Sequence, residues 1–346
     1  MKLDLSIIIP VFNLEDFLHE CLETLINQKP TSVSYEVICV NDGSTDSSKH
    51  ILDNFAQKYP KLIKVFHKNN SGVSSARNYG LKNSSGKYVT FVDGDDWVSE
   101  NFVNALTESI DTDSDIAIFN TVHSFNEKEI IVDEKIDRLL FNTENHACGK
   151  TFKRELIEKY NLRFPEDVKI GEDLSFTFSY LLVIKKYMKI NEPLYFYRRE
   201  RVGSAMSNRT NKSYLDIFKA CNYVLDFSRE NNLFLLFCDE IEYVLIKNII
   251  VRTFPKIVLK EFPNYFILKK YIRLQFNYME KNFPNWEKNK YYQLDVEKYF
   301  IGKLGKRYRL IIRGLSKGKL YYIILIMNHI ILTKILQSGN SEKIQS

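Results

Sequence analysis

The sequence lacks the features that build disulfide frameworks, zinc sites and secretory leaders. Its five cysteines in 346 residues are odd in number and widely spaced, and none forms a Cys-x-x-Cys pair. This spacing excludes a disulfide framework and a zinc knuckle. The chain enters a predicted strand without a basic and then apolar leader, so we expect no signal segment. These absences favour a folded protein of a reducing, cytosolic compartment.

Acidic residues are missing from the stretch between Tyr299 and Ser341, which holds eight basic residues in a chain of net charge +6. The basic charge therefore belongs to the tail, and the body gives no support for nucleic-acid binding. The apolar run Leu320–Met327 is shorter than the ~20 residues that span a bilayer. We expect a helix lying in an anionic membrane interface. A packing or oligomer-forming helix with a solvated basic face is the alternative.

Strand and helix patterns alternate through the first hundred residues. Apolar runs predict buried strands, and apolar residues at helical spacing separate them. The runs lie at residues 4–11, 35–40, 62–66 and 88–92. This alternation predicts an α/β fold with a mainly parallel sheet flanked by helices. We expect this domain at 1–210, a helical region at 211–298 and the basic tail at 299–346.

Three carboxylates follow the last of these strands within four positions. Asp93, Asp95 and Asp96 surround Gly94, which permits a tight turn. Carboxylates this close repel one another unless a cation or hydrogen-bond donors separate them. Mg²⁺ usually takes one or two protein carboxylates together with substrate phosphates. The cluster therefore predicts a nucleotide-diphosphate site, with a solvated turn as the alternative.

Other polar segments are predicted at the same edge of the sheet. Ligands of parallel sheets collect outside the carboxyl ends of the strands. Pro10–Asn13, Asn41–Gly43 and Asn69–Gly72 each follow a predicted strand, as the aspartates do. Their convergence predicts one binding site.

Five ordered segments resemble the signatures of family 2 of the glycosyltransferases, and the resemblance covers about residues 3–205. They are Ser6–Asn13, Val40–Asp46, Asn70–Gly80, Phe91–Trp97 and Gly171–Asp173. Phe12 departs from the tyrosine often found in the family. The resemblance implies a GT-A fold and inverting transfer of a hexosyl or N-acetylhexosaminyl group from a nucleotide sugar.

The resemblance also implies roles in the chemistry. Asp173 matches the base that removes the acceptor's proton, and Glu172 would hold the base or the acceptor. Capping of the following helix is a compatible alternative for Asp173. Asp95 would bind Mn²⁺ or Mg²⁺, and Asp93 would contact the ribose or a metal-bound water.

The nucleotide contacts are predicted upstream. Asp42 would accept the N–H of a uracil, or else cap the next helix. Pro10 and Phe12 would form a wall of the base pocket, with core packing as the alternative for Phe12. Arg77 would fork onto the diphosphate or ribose, or else form an exposed ion pair. Asn70 would shape the loop that leads to it.

A third group of predictions is less specific. One of Arg198, Arg199 and Arg201 is expected to contact phosphate in a segment that includes Ser204, and the sequence does not choose among them. Lys150 lies in a segment that often reads Asn-Lys in members of this family, and a structural role explains it at least as well as a functional one. The six histidines show no ligand spacing, and no chemistry is assigned to them.

The sequence thus predicts an enzyme that moves a sugar from a nucleotide-diphosphate donor, with UDP expected, to a hydroxyl of a surface glycan. A lipid-linked acceptor is expected, with the cytoplasmic membrane face as the site of action. A catalytically silent nucleotide-sugar-binding subunit is the alternative. A nucleotidyltransferase would need a glycine-rich, basic loop after the first strand, and Pro10–Asp16 has neither Gly nor Lys.

Overall fold

A computed structural model describes residues 3–125, 128–132, 143–199, 215–253, 257 and 264–291. The chain divides into two compact units, Met1–Leu233 and Phe234–Ser346. The predicted tail, Arg201 and Ser204 lie outside the described residues.

The first unit alternates strands and helices. Its strands are β1 (Leu5–Val11), β2 (Tyr35–Asp42), β3 (Ile63–Lys68), β4 (Tyr88–Phe91), β5 (Trp97–Val98), β6 (Ile116–Phe125), β7 (Lys128–Val132), β8 (Lys150–Lys153) and β9 (Tyr187–Arg198). Its helices are α1 (Leu18–Ile26), α2 (Ser48–Lys58), α3 (Val73–Asn83), α4 (Phe102–Ala105), α5 (Thr107–Asp111), α6 (Arg154–Lys159), α7 (Glu172–Leu181) and α8 (Asp216–Glu230).

The first half of the sheet is parallel, as predicted. Strands β3, β2, β1 and β4 are neighbours in that order, and Ile8 of β1 pairs with both Ile38 and Phe91. Every residue of β1 is buried, because a strand with helices on both faces has no solvent side. The predicted α/β fold is confirmed, and the strand ends 10–13, 41–43 and 93–96 share one edge.

The other half of the sheet is mixed. Strand β8 runs antiparallel to both β4 and β6, whereas β9 runs parallel to β6. Strand β5, directly after the aspartate cluster, pairs antiparallel with the end of β9. Trp97 there stacks on Phe196, with ring centroids 5.5 Å apart. The cluster is therefore held between a central strand and β9.

Helix α3 lies unusually close to β1. A Cβ atom at Gly80 would overlap the side chain of Ile8, so only glycine allows this approach of helix and sheet. The buried face of α3 includes Ala76, Arg77 and Leu81. The close contact carries Arg77 beneath the edge of the sheet.

An aromatic cluster joins β4 to α7. Phe91 packs edge-to-face against Phe152, Phe164 and Phe176, with centroids 5.2–5.9 Å apart. Phe164 also stacks on Phe176 at 4.1 Å. Such pairs add about 0.5–1.5 kcal/mol each beyond their buried area. Because Phe176 belongs to α7, the cluster fixes the start of α7 relative to the end of β4.

The second unit is helical where it is described, in agreement with the periodicity of its sequence. Helix α9 (Cys238–Lys247) continues into a π-helical segment, Asn248–Thr253, and α10 (Tyr265–Asn282) follows. Ile241, Leu245 and Ile249 are fully buried. No helix in the described parts of the chain is both long and apolar enough to cross a membrane.

Candidate active site

The three aspartates after β4 occupy different environments. Asp93 has a side chain that is 28% exposed, and its carboxylate is 2.9 Å from Nη2 of Arg77. Asp95 is partly exposed, whereas Asp96 is buried. Solvent therefore reaches the carboxylates of Asp93 and Asp95, and not that of Asp96.

Asp96 is engaged by strand β9. The backbone N–H of Arg198 donates to its Oδ1 at 2.8 Å, and the hydroxyl of Tyr195 donates to its Oδ2. Burial raises the pKa of Asp96 well above its usual range, and the charges of Asp93 and Asp95 raise it further. A neutral Asp96 relieves repulsion within the cluster.

Arg77 bridges two of the predicted site residues. Its Nη1 lies 2.9 Å from Oδ1 of Asp173, while its Nη2 contacts Asp93. The guanidinium is 4% exposed and lies 5.2 Å from the ring centroid of Phe164. Burial alone would lower the pKa of Arg77, but Asp173 and Asp93 outweigh it and raise the pKa. The predicted diphosphate contact is therefore a buried double ion pair in this structure.

Asp173 lies in the first turn of α7. Gly171 precedes it with φ +97°, a left-handed conformation that glycine adopts without strain. The Asp173 side chain is 25% exposed, and its Oδ2 is 4.0 Å from Nδ1 of His146. Glu172, beside it, is partly exposed. A carboxylate at a helix N-terminus interacts favourably with the helix dipole.

Asp42 holds the loop that leads into α3. Its carboxylate accepts the backbone N–H groups of Ser71 at 3.0 Å and Gly72 at 2.7 Å, and also contacts Nζ of Lys68. Asn70 lies in this loop, and Gly72 has φ +93°. Asp42 is 2% exposed. A carboxylate offers about four acceptor positions, and these three contacts use one of the two positions on Oδ2.

The end of β1 presents an exposed aromatic ring. Pro10 is buried, but Phe12 is 46% exposed, which excludes simple core packing for Phe12. Asn13 follows with φ +51°, and its Oδ1 accepts the N–H of Thr45 at 2.8 Å. This contact joins the segment after β1 to the segment after β2, and Asp42 is the last residue of β2.

The two described arginines at the end of β9 have different surroundings. Arg198 contacts Glu20 and lies over Trp97, with 4.6 Å from Cζ to the ring centroid. Arg199 is exposed and donates to the ring of His123. Burial and the charge of Arg199 lower the pKa of His123 to about 4, which keeps His123 neutral at pH 7.

Sequence reasoning missed Tyr195, Lys68 and His146, all of which contact predicted site residues. Tyr195 and Lys68 belong to strands, where tyrosine and edge lysines are common. Lys150, by contrast, has the expected structural environment. It is buried, and its Nζ donates to the carbonyl of His146 at 3.0 Å.

Comparison with known families and proteins identifies relatives along most of the first unit. The model described as Glycosyl transferase family 2 matches residues 6–164. Glycosyltransferase GlyG of Streptococcus pneumoniae is 30% identical over 232 residues, which are 61% of this chain and 75% of GlyG. The minor teichoic acid biosynthesis protein GgaB of Bacillus subtilis is 37% identical over 231 residues, 62% of this chain and 25% of GgaB.

One more sequence relative and one solved structure are similar to this chain. Poly(ribitol-phosphate) beta-glucosyltransferase of Bacillus spizizenii is 35% identical over 214 residues, 59% of this chain and 33% of that protein. The chain spans a quarter to three fifths of the length of several such relatives. The crystal structure of S. aureus TarS 1-349 superposes with a TM-score of 0.65 at 18% identity, covering 96% of this chain and 92% of TarS 1-349. At this identity, the likeness to TarS shows the same fold.

Proposed function

The chain belongs to family 2 of the glycosyltransferases, and from this premise we propose that it transfers a sugar from a UDP-sugar to a hydroxyl of a cell-surface glycan with inversion. The observation that carries the proposal is the bridge Asp93–Arg77–Asp173, with both ion pairs at 2.9 Å. It joins Asp93, at the edge of the sheet where the sugar donor is proposed to bind, to Asp173, a carboxylate suited to act as a base.

In this proposal Asp173 accepts the proton of the acceptor hydroxyl. As the proton leaves, the acceptor oxygen forms a bond to the anomeric carbon, and the bond from that carbon to the diphosphate oxygen breaks. Arg77 contacts Oδ1 of Asp173, so Oδ2 is the oxygen that takes the proton. General base catalysis of this kind contributes about 10²- to 10⁴-fold in rate. Glu172 precedes Asp173 in the first turn of α7 and is proposed to orient the acceptor.

The uridine is proposed to bind between Asp42 and the segment after β1. Oδ2 of Asp42 can accept one further N–H, which suits the single imide N–H of uracil. Phe12, with 46% of its surface exposed, would stack on the base or ribose. A structure of the similarly folded TarS 1-349 is described as a complex with UDP-GlcNAc, which supports UDP as the nucleotide.

A divalent ion, Mn²⁺ or Mg²⁺, is proposed to bind at Asp95 with the help of Asp93. The residues fit such an ion, because both carboxylates are partly exposed and oxygen ligands suit hard cations. Among the described residues no group of three His, Cys, Asp or Glu side chains could hold a metal alone. The donor's phosphates would therefore supply further ligands. The ion would neutralise the departing diphosphate.

The acceptor is proposed to be a surface polymer built at the cytoplasmic membrane face, on a lipid carrier. The names of GgaB and of the poly(ribitol-phosphate) glucosyltransferase refer to teichoic acid synthesis and to a polyol-phosphate polymer. Attachment through residues 299–346 rests on their sequence pattern alone.

A panel of UDP-, GDP- and dTDP-sugars tests the proposed donor. We expect calorimetry to detect binding of UDP-sugars in the presence of Mn²⁺, together with slow hydrolysis of one of them. Equal binding of all three nucleotides would contradict the role given to Asp42. Tight binding without turnover, across acceptors, would instead support the catalytically silent subunit.

Replacing Asp95 with alanine tests the metal. We expect the effect of Mn²⁺ on UDP affinity to fall by about tenfold or more. Mutation of residues that bind a metal, or that orient its ligands, typically lowers metal affinity by that amount. Asp111→Ala, at an exposed position at the end of α5, is the matched control. A Mn²⁺ effect in Asp95→Ala equal to that of the control would refute the assignment of Asp95.

A further inference from the structure

The loop 93–96 is tied to strand β9 through a buried chain of hydrogen bonds. The N–H of Asp93 donates to the hydroxyl oxygen of Tyr195 at 3.2 Å, and that hydroxyl donates to Oδ2 of Asp96. The N–H of Arg198 donates to Oδ1 of Asp96 at 2.8 Å. Asp96 is 2% exposed and Tyr195 is 1% exposed. Both ends of the loop are thus attached to β9 through groups that water does not reach.

The side chain of Arg198 makes a second attachment on the outside of the loop. Its Nε donates to the backbone carbonyl of Asp95 at 2.9 Å, and its Nη2 contacts Glu20 of α1. The guanidinium lies 4.6 Å from the ring centroid of Trp97 and 5.1 Å from that of Phe17. Guanidinium stacking and fork-like hydrogen bonding are properties that lysine does not share. Arg198 therefore fixes the backbone at Asp95, the residue whose carboxylate faces the proposed ion.

The exposure of the three carboxylates is consistent with this division. Asp96 is 2% exposed, and both of its oxygens accept hydrogen bonds from β9. Asp93 and Asp95 are partly exposed, so solvent reaches these two carboxylates. Displacements of about 1 Å in a donor site can cost about 10²-fold in rate. A fixed orientation of these two carboxylates therefore preserves the rate of transfer.

We propose that Tyr195 and Arg198 are positioning residues of the donor site. They act through Asp96 and the backbone of residues 93–95, and they orient the carboxylates of Asp93 and Asp95 toward a diphosphate and its divalent ion. Asp96 is the anchor of this arrangement and contacts neither ligand. The consequence for the sugar donor rests on the proposed function. The attachment of the loop to β9 does not, and it can be tested separately.

Hydrogen exchange of the unliganded protein tests the attachment. In Tyr195→Phe the N–H of Asp93 loses its acceptor, so we expect peptides that cover residues 91–98 to exchange about tenfold faster at that amide. Tyr180→Phe is the matched control, because its buried hydroxyl donates to the carbonyl of Asp115, away from the loop. Equal exchange over 91–98 in wild type, Tyr195→Phe and Tyr180→Phe would overturn the proposal.

Calorimetric titration with UDP, with and without MnCl₂, tests the consequence for the site. We expect the gain in UDP affinity from Mn²⁺ to fall about tenfold in Tyr195→Phe and in Arg198→Lys, because partners that orient ligands contribute 10- to 100-fold. Metal-free UDP binding and the response of Tyr180→Phe should match wild type. Equal weakening with and without Mn²⁺, or an unchanged gain, would overturn the proposal.

Two outcomes separate this proposal from the proposed function. If the wild-type chain does not bind UDP, the proposed donor is wrong, and the exchange experiment still decides whether the loop is anchored. If circular dichroism shows that Tyr195→Phe is unfolded, Arg198→Lys is used in its place for hydrogen exchange and for calorimetric titration. Its charge is kept, while the Nε contact, the Nη2 contact with Glu20 and the stacking of the guanidinium on Trp97 and Phe17 are lost.

Discussion

Replacing Asp173 with asparagine is expected to lower kcat for sugar transfer by about 10³-fold, within the range that general base catalysis contributes. Asparagine has the same shape and keeps an oxygen that can accept from Nη1 of Arg77, which is 2.9 Å from Oδ1 in the wild type. It cannot take a proton from the acceptor hydroxyl. The measurement is single-turnover transfer from the donor that binds best in the nucleotide panel.

UDP binding and thermal unfolding of Asp173→Asn distinguish lost chemistry from lost structure. UDP binding should stay close to wild type, since Asp173 is proposed to contact the acceptor rather than the nucleotide. The unfolding temperature should fall less than in Arg77→Met, because asparagine keeps an oxygen that accepts from Nη1 of Arg77. Asp167→Asn is a suitable control, because Asp167 is 73% exposed and pairs only at the surface with Lys219. Transfer by Asp173→Asn at the rate of the control would assign the base to another residue, and Glu172 would be the next to test.

The sequence was sufficient to predict the parallel half of the sheet. The apolar runs at 4–11 and 88–92 became β1 and β4, and their carboxyl ends bring residues 10–13 and 93–96 together. Antiparallel pairing of β8 with β4 was not predicted, because an apolar run specifies burial and not the direction of its neighbour. The fold class was therefore predictable, but the arrangement of its second half was not.

The candidate site was predictable as a set of residues and not as a set of contacts. Asp93 and Asp42 follow strands, so their common edge could be inferred. Arg77 lies in a helix, and its reach to both Asp93 and Asp173 depends on the close packing of Gly80 against Ile8. A pairing 96 residues apart in sequence leaves no local pattern. The exposure of Phe12, left open by the sequence, likewise depends on the tertiary structure.

Replacing Arg77 is expected to affect both activity and stability. Arg77→Met leaves two carboxylates without their cation, and breaking a buried pair costs about 3–5 kcal/mol. We expect about 3 kcal/mol, at the low end, since Asp93 and Asp173 are 28% and 25% exposed and gain some hydration. Arg229→Met is the control, because its side chain is 52% exposed and exposed pairs contribute about 0.2–1 kcal/mol. Urea unfolding of the two variants measures these changes in the free energy of unfolding.

Arg77→Lys separates charge from geometry. Lysine keeps the positive charge but offers a single ammonium in place of a planar fork, so it cannot hold Asp93 and Asp173 at 2.9 Å together. We expect kcat to fall by about 10²-fold, as for a comparable misplacement of a catalytic group, with a smaller loss of stability than in Arg77→Met. Wild-type kcat in Arg77→Lys would show that charge alone is required.

A double-mutant cycle identifies which carboxylate carries the cost. In Arg77→Met the Asp173 carboxylate is left beside a buried apolar group, and changing it to asparagine removes that charge. Arg77→Met/Asp173→Asn should therefore be more stable than Arg77→Met alone, with a coupling of about 1–3 kcal/mol as found for residues in direct contact. Additive effects would mean that Asp173 is solvated independently of Arg77. In that case Arg77 would act on the donor edge through Asp93, and the link between donor and base would have to be sought in the aromatic cluster that joins β4 to α7.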